Sequence, residues 1–380
     1  MPTRCVCVVG ITIVAFTHAL LLLAHAETNP IKLGQVISVT GELAMEGLYQ
    51  RQGSELAIEK INASGGINGR KLTLIVEDDQ TTNPGAVGAI QKLLEDKDIP
   101  MLLGSNRSTA LQAMLPTINE AKIPVAIGGT NYGLTHTGSQ WVFRFRPNDG
   151  FTGKVIAKFL VEELKQKKIG IVYANDAFGT GLRDFVVPAL KELNAEVAFI
   201  QGVNNGEKDF TGVVQGLRAS TATAFTTLFT FSTDLGVFSR QVKQLGISIP
   251  WVGSPTIAST NTMYLGGDAL YGTYGVTDFH VDASPTSKTF AAAFRAKYSR
   301  DPDYFSAWCY DAVTVFAETM RNAPDLAPNT LRRLLLNIHN FPGAEGMYNF
   351  DLNGDGLDHY HVVKNQNGTL IMIKTLHGAR

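Results

Sequence analysis

Small polar residues and glycines follow most of the β-strands that the sequence of this 380-residue chain predicts. These segments are residues 38–40, 105–108, 128–131, 174–178, 231–234, 254–256 and 277–278. Short side chains allow the backbone N–H groups of such loops to approach a ligand, and hydroxyl groups add further hydrogen-bond donors. The pattern therefore predicts a binding site for a small molecule, in which the start of a helix can offer N–H donors to a carboxylate.

Two neighbouring residues in the segment 105–108 are candidates for contact with that carboxylate. Ser108 precedes a helix predicted to begin near Thr109, where its hydroxyl caps the helix, binds the carboxylate or does both. Arg107 can bind a carboxylate through two parallel hydrogen bonds, although a single arginine in a loop is more often a surface charge. In the following loops the predicted ligand contacts are Gly129, Thr130, Asn131, Phe178, Phe231, Asp234 and Asp278.

These loops require a framework of parallel strands, and the hydrophobic pattern predicts one. Apolar segments rich in Ile, Val and Leu alternate with amphipathic helical segments along most of the chain. Such alternation is typical of α/β folds with doubly wound parallel sheets, in which ligands lie beyond the carboxyl ends of the strands. The chain is longer than the ~250–300 residues at which a single core stops growing, so we expect two lobes.

The first 26 residues have the composition of an export signal. Arg4 precedes an apolar stretch, and the sequence Ala24-His25-Ala26 has the small-x-small pattern that a signal peptidase requires. A permanent membrane anchor is the alternative interpretation of this stretch. We predict cleavage after Ala26 and a mature protein in the periplasm. Cys309 is the one cysteine beyond this segment, so no internal disulfide is expected.

Composition excludes several classes of partner and chemistry. The chain has 33 Lys and Arg residues against 34 Asp and Glu residues, a formal net charge of −1. This balance predicts neither nucleic acid nor an anionic membrane as a partner. The sequence contains no P-loop, no G-x-S-x-G motif and no Cys/His pattern for a metal. We therefore predict a protein that is not an enzyme and that needs no cofactor.

Several motifs together resemble the leucine/isoleucine/valine-binding type of periplasmic substrate-binding protein. The first part of the resemblance is the S-x-T-G turn at 38–41, the run INASGGINGRKL at 61–72 and the acidic end at 77–79. Further matching positions are Gly104, Pro116, 129–131, 134–135, 142–144, 178–182, 240–241, Gly246 and 350–355. Proteins of this family bind a small solute between two hinged lobes and deliver it to the membrane permease of an ABC importer.

The resemblance implies an architecture and a set of partners. One lobe is expected at 27–147 plus 277–349 and the other at 148–276 plus 350–380, joined by a three-segment hinge in the type I periplasmic-binding-protein fold. The expected partners are a small-molecule ligand and ABC permease subunits, and the receptor is expected to be a monomer. A periplasmic sensor input module with the same fold is the alternative from another functional class.

The resemblance also implies roles for individual residues. Ser108 and Thr130 match the residues that hold the carboxylate of an α-amino acid in the family. Pro255 stands where the family has an acid for the ligand ammonium, and Phe178 replaces a usual tyrosine. The acids expected to replace the missing one are Glu46, Asp234 and Asp278. The leading ligand is therefore a branched-chain or other apolar amino acid, and the alternative is an aromatic or short organic acid without an amino group.

Overall fold

A computed structural model of the protein describes Met1 and residues 29–378. Apart from Met1, the predicted export signal at 1–26 lies outside these described residues. Within the described part of the chain, no helix is both long and apolar enough to cross a membrane.

The first of two large sheets in the described chain has five parallel strands in the order β2-β1-β3-β4-β5. The strands are β1 (Ile31–Ile37), β2 (Leu72–Asp78), β3 (Leu102–Leu103), β4 (Val125–Ile127) and β5 (Val142–Arg144). The helices between them are α1 (Ala44–Ala63), α2 (Asn83–Glu95), α3 (Ser108–Ala121) and α4 (Gly133–His136). β3, β4 and β5 consist of buried residues only, because helices cover both faces of a parallel sheet.

The second large sheet has seven strands in the order β14-β13-β10-β9-β8-β6-β7. The strands are β6 (Lys168–Ala174), β7 (Glu196–Val203), β8 (Ala224–Leu228), β9 (Trp251–Gly253), β10 (Tyr274–Thr277), β13 (His359–Gln366) and β14 (Thr369–His377). The helices of this part are α5 (Asp149–Lys158), continued by a π-helical turn at Phe159–Glu163, α6 (Ala177–Glu192), α7 (Thr211–Ala219), α8 (Ser232–Gln244) and α9 (Thr260–Gly266). The two sheets confirm the predicted α/β class with parallel sheets.

The chain passes between the two sheets three times. It leaves the first sheet after β5, returns after β10 and crosses again before β13. The returning segment contains α10 (Pro285–Tyr298), α11 (Tyr304–Arg321), α12 (Pro328–Leu336) and a small antiparallel pair, β11 (Phe341–Pro342) and β12 (Met347–Tyr348). Trp308 and Phe316 of α11 pack with Leu33 and Ile58 in the core of the first sheet. The returning segment thus completes the structure around the first sheet.

Two buried ion pairs connect the crossing segments. Arg144 Nε lies 2.8 Å from Asp355 Oδ1, and Arg144 also donates to three backbone carbonyl oxygens. Arg146 binds Asp278 through two hydrogen bonds, from Nε at 2.5 Å and from Nη2 at 3.1 Å. These charge-assisted hydrogen bonds join residues that are distant in sequence, and they do so at the junction of the two sheets.

The second sheet also ends in an antiparallel hairpin that the sequence analysis did not predict. β13 pairs with β10 and with β14 in antiparallel fashion. Asn367 and Gly368 connect β13 to β14, and their φ angles are 52° and 93°. Positive φ at two consecutive residues is typical of the type I′ turn that joins the strands of a hairpin.

Candidate functional site

Loops from the carboxyl ends of strands in both sheets meet in a cleft with two adjacent chambers. The first, here called the Ser108 chamber, is lined by Asn106, Ser108, Thr130, Arg146, Phe178, Thr230, Pro255, Thr256 and Tyr304. The second, the Arg107 chamber, is lined by Ser38, Leu43, Glu46, Gln50, Ser105, Asn106, Arg107, Thr230 and Phe305. Asn106 and Thr230 belong to both linings, so the chambers adjoin each other.

Ser108 is the first residue of α3, and its side chain is buried. Its Oγ accepts a hydrogen bond from the backbone N–H of Asn131 at 3.2 Å. The predicted capping role of this serine is wrong, because among the described residues no side chain caps α3 and the residue before the helix is Arg107. As an acceptor from Asn131, the Ser108 hydroxyl keeps its own proton for donation into the chamber.

Thr130 lines the Ser108 chamber, and Gly129 before it packs against α3. A Cβ atom on Gly129 would lie 2.4 Å from Leu111 Cδ1, so a larger residue would require Leu111 to shift. The carbonyl of Thr130 accepts from the N–H of Asp149 at 2.9 Å, which fixes the loop at the start of α5. The structure therefore places Gly129 in a packing role and Thr130 at the chamber surface.

The cleft is closed by direct hydrogen bonds between its two sides. The backbone N–H of Ala177, at the start of α6, donates to Thr109 Oγ1 at 3.1 Å, and the carbonyl of Ala177 accepts from Asn131 Nδ2 at 2.7 Å. Asn261 Nδ2 donates to Glu46 Oε1 at 3.1 Å, and the N–H of Thr260 donates to Asp303 Oδ2 at 3.1 Å. Asn131 thus joins the two sides of the cleft, besides its bond to Ser108.

Glu46 and Arg107 are buried, in contrast to the exposed turn and surface loop that their sequence contexts suggest. Glu46 is 2% exposed and Arg107 is 8% exposed, and both line the Arg107 chamber. Burial raises the pKa of Glu46 above its ordinary value. Burial lowers the pKa of Arg107, against the opposing effects of Asp79 and Asp176. The chamber therefore brings two buried groups of opposite charge into one space.

The other predicted acids have partners in the protein. Asp278 is paired with Arg146, as described above, so its charge is neutralised at the crossing. Asp234 accepts from the N–H of Gly206 at 2.9 Å, and burial raises the pKa of Asp234 to about 6. Within the described structure, neither acid lines either chamber. Of the three acids proposed from the sequence, Glu46 alone faces the space between the sheets.

The structure separates the two predicted phenylalanines. Phe178, in the first turn of α6, lines the Ser108 chamber and packs partly against the core of the second sheet. Phe231 is buried just before α8 and is not among the described residues that line the chambers.

Six lining residues lie outside the segments and residues that the sequence analysis proposed. They are Leu43, Gln50, Arg146, Thr230, Tyr304 and Phe305. Thr230 follows β8, so its position at a strand end was a usable signal. Tyr304 begins α11, and its ring lies 4.2 Å from the guanidinium carbon of Arg146. No local pattern distinguishes this tyrosine from the other core aromatic residues of α11.

A closed cleft lined by strand-end loops of two α/β sheets defines a solute-binding protein. The sequence matches the periplasmic binding protein family over residues 30–363, and the chain belongs to that family. A leucine-, isoleucine-, valine-, threonine- and alanine-binding protein of Pseudomonas aeruginosa is 28% identical over 328 residues, which cover 86% of this chain and 87% of that protein.

Solved structures show the same fold. LivJ of Streptococcus pneumoniae, a branched-chain amino acid transporter substrate-binding protein in complex with isoleucine, has a TM-score of 0.85 at 24% identity, covering 92% of this chain and 99% of that one. A solute-binding protein of an ABC transporter from R. palustris, in complex with benzoate, has a TM-score of 0.85 at 19% identity, covering 92% and 97%. These neighbours confirm the type I periplasmic-binding-protein fold.

Proposed function

We propose that the protein is the extracytoplasmic solute receptor of an ABC importer. In this role it binds a small carboxylate-bearing solute between two lobes and presents it to permease subunits in the membrane. The proposed lobes are residues 27–147 plus 277–349 and residues 148–276 plus 350–380. The mature receptor, after removal of residues 1–26, is proposed to be a periplasmic monomer.

The Ser108 chamber carries this proposal. Ser108 and Thr130 supply hydroxyl groups from one side of the cleft, and Phe178 and Thr256 close it from the other. A carboxylate in this space accepts from the Ser108 hydroxyl and from backbone N–H groups at the start of α3, where the helix dipole favours negative charge. The ligand then contacts both lobes only in the closed form.

The proposed ligand class is an amino acid. Glu46 supports it, because a buried carboxylate at the cleft can bind the ligand ammonium that Pro255 cannot bind. The relative from Pseudomonas aeruginosa is named for amino acid binding. An aromatic or short organic acid is the second candidate, since Phe178 and Pro255 line the Ser108 chamber and a structural neighbour holds benzoate.

Calorimetry on wild type and Ser108→Ala tests the carboxylate site with L-leucine and benzoate as probes. Loss of one donor to a charged acceptor in a closed cleft should weaken whichever probe binds by ~1–3 kcal/mol. Ser64→Ala is the matched control, because Ser64 lies on the exposed end of α1. Unchanged affinity in Ser108→Ala would remove this serine from the site, and binding of benzoate alone would favour the organic acid.

Small-angle scattering tests the hinge. Since a ligand that contacts both lobes favours the closed form, the radius of gyration should fall when the ligand identified by calorimetry is added at saturation. Identical scattering curves with and without ligand would contradict closure around the solute.

A further inference from the structure

We propose that the Arg107 chamber is a second polar subsite, and that the ligand therefore carries a carboxamide group in addition to its carboxylate. This inference rests on the proposed function and specifies its ligand. Asn106 and Thr230 line both chambers, so a ligand held at the Ser108 hydroxyl lies next to the Arg107 chamber.

Three side chains in the Arg107 chamber have buried polar atoms without hydrogen-bond partners among the described residues. These atoms are Glu46 Oε2, Gln50 Oε1, and Nε and Nη2 of Arg107. Their residues are 2%, 4% and 8% exposed, respectively. Buried polar groups in folded proteins are nearly always satisfied, so a concentration of unpaired donors and acceptors in one chamber indicates a bound group that completes them.

The neighbouring acid does not satisfy Arg107. Asp79 Oδ2 lies 3.8 Å from Arg107 Nη2, which is too long for a hydrogen bond. Asp79 instead accepts from the hydroxyl of Ser38 at 2.6 Å and from the N–H of Thr81 at 2.8 Å. Asp79 is therefore held by Ser38, which follows β1, and by Thr81 of its own loop, and Nε and Nη2 of Arg107 remain available to a ligand.

A carboxamide matches the donors and acceptors of this chamber. Its oxygen accepts from Arg107 and its NH₂ group donates to Gln50 Oε1, while Glu46 Oε2 accepts from the ligand ammonium. An apolar side chain would leave the Arg107 and Gln50 atoms unpaired. A second carboxylate would satisfy Arg107 but would place a negative charge next to Glu46 and leave Gln50 Oε1 without a donor. The chemical class is thus a small carboxylic acid or amino acid with a terminal carboxamide, such as glutamine.

Calorimetry with L-glutamine, L-leucine and L-glutamate on the mature protein tests the subsite. Wild type should bind L-glutamine at least about ten-fold more tightly than L-leucine or L-glutamate, a difference of ~1.4 kcal/mol. Arg107→Met keeps the length of the side chain but removes its donors. It should weaken L-glutamine by about ten-fold and L-leucine by less than about three-fold.

Ser108→Ala is the matched comparison, because it should weaken L-glutamine and L-leucine equally. Glu46→Gln, which keeps the shape of the side chain but removes its charge, should also weaken both amino acids equally, because both carry the ammonium that Glu46 is proposed to bind. The thermal midpoint of each variant establishes that it is folded.

The outcomes separate this inference from the proposed function. Binding of L-leucine or L-glutamate as tight as that of L-glutamine would overturn the carboxamide subsite and leave the receptor role intact. An equal loss of L-leucine and L-glutamine binding in Arg107→Met would also overturn it, since the chamber would then hold a group common to both. If wild type bound none of these amino acids and no benzoate, the proposed carboxylate ligand itself would be wrong.

Discussion

Arg144 and Arg107 are both buried, but their surroundings differ. Arg144, at the junction of the two sheets, forms an ion pair with Asp355 and donates to the carbonyls of Gly129, Asn131 and Tyr132. Arg107, in the cleft, has an Nε and an Nη2 without a hydrogen-bond partner in the described structure. A buried charge whose hydrogen-bond donors all have partners stabilises the fold, whereas one with donors lacking partners is available to bind a ligand. This difference, which burial alone does not reveal, separates the structural arginine from the candidate ligand contact.

Arg144→Met should have the largest effect on stability. Removal of one member of a buried, hydrogen-bonded pair leaves Asp355 uncompensated and should lower the free energy of unfolding by ~3–5 kcal/mol. Urea denaturation followed by circular dichroism measures this change. Arg107→Met is the matched control and should lower the free energy of unfolding by clearly less, because Asp79 lies 3.8 Å from Arg107 and keeps its hydrogen bonds to Ser38 and Thr81. An equal loss in both variants would abolish the distinction between the two arginines.

Asp149 is the opposite case to Arg144. It also lies at the junction of the sheets, but neither of its carboxylate oxygens has a hydrogen-bond partner within the described residues. Burial raises the pKa of Asp149 to about 7. The folded protein therefore binds a proton here that the unfolded chain has already lost, and stability should increase as pH falls. Between about pH 8 and pH 5 this group should add on the order of 2 kcal/mol, and little more once the unfolded carboxyl also protonates near pH 4.

Asp149→Asn should flatten this part of the pH profile, which urea titrations at several pH values would measure. The difference between wild type and variant isolates Asp149 from Asp311, whose pKa burial also raises to about 7. A variant that retained the full pH dependence would assign the effect to Asp311 or another acid.

Lys208→Ala should have the smallest effect. Lys208 Nζ lies 3.3 Å from Glu42 Oε1 across the cleft, but both side chains are largely exposed. Because water and salt screen such pairs, the variant should lose only ~0.2–1 kcal/mol, and less at high ionic strength. A loss comparable to that of Arg144→Met would show that an exposed ion pair at the rim of the cleft contributes as much to stability as the buried Arg144–Asp355 pair.

The strand-end loops were predictable from sequence because strands and turns leave local signals. Ser108, Thr130 and Phe178 follow three different predicted strands, and all three line one chamber. The type I′ turn at Asn367 and Gly368 was also visible in the sequence, since Asn-Gly is a strong hairpin signal that the analysis did not use.

Burial of the charged residues was not predictable in this way. Glu46 is covered because Asn261, 215 residues further along the chain, meets it across the cleft. Tyr304 reaches the site on a helix that returns from the second sheet to the first. Such contacts depend on how the two halves close on each other, which no local pattern encodes.

The two hydrogen bonds to the backbone of Ala177 have a consequence for the closing of the cleft. The N–H and the carbonyl of this residue are both bound by side chains from the opposite side of the cleft, Thr109 and Asn131. Contacts of this kind lower the free-energy cost of closing and increase the fraction of empty molecules that are closed. In the proposed receptor role, empty closed molecules would compete with ligand-bound ones at the permease, so the strength of the two hydrogen bonds to Ala177 would set a balance between ligand affinity and unproductive docking.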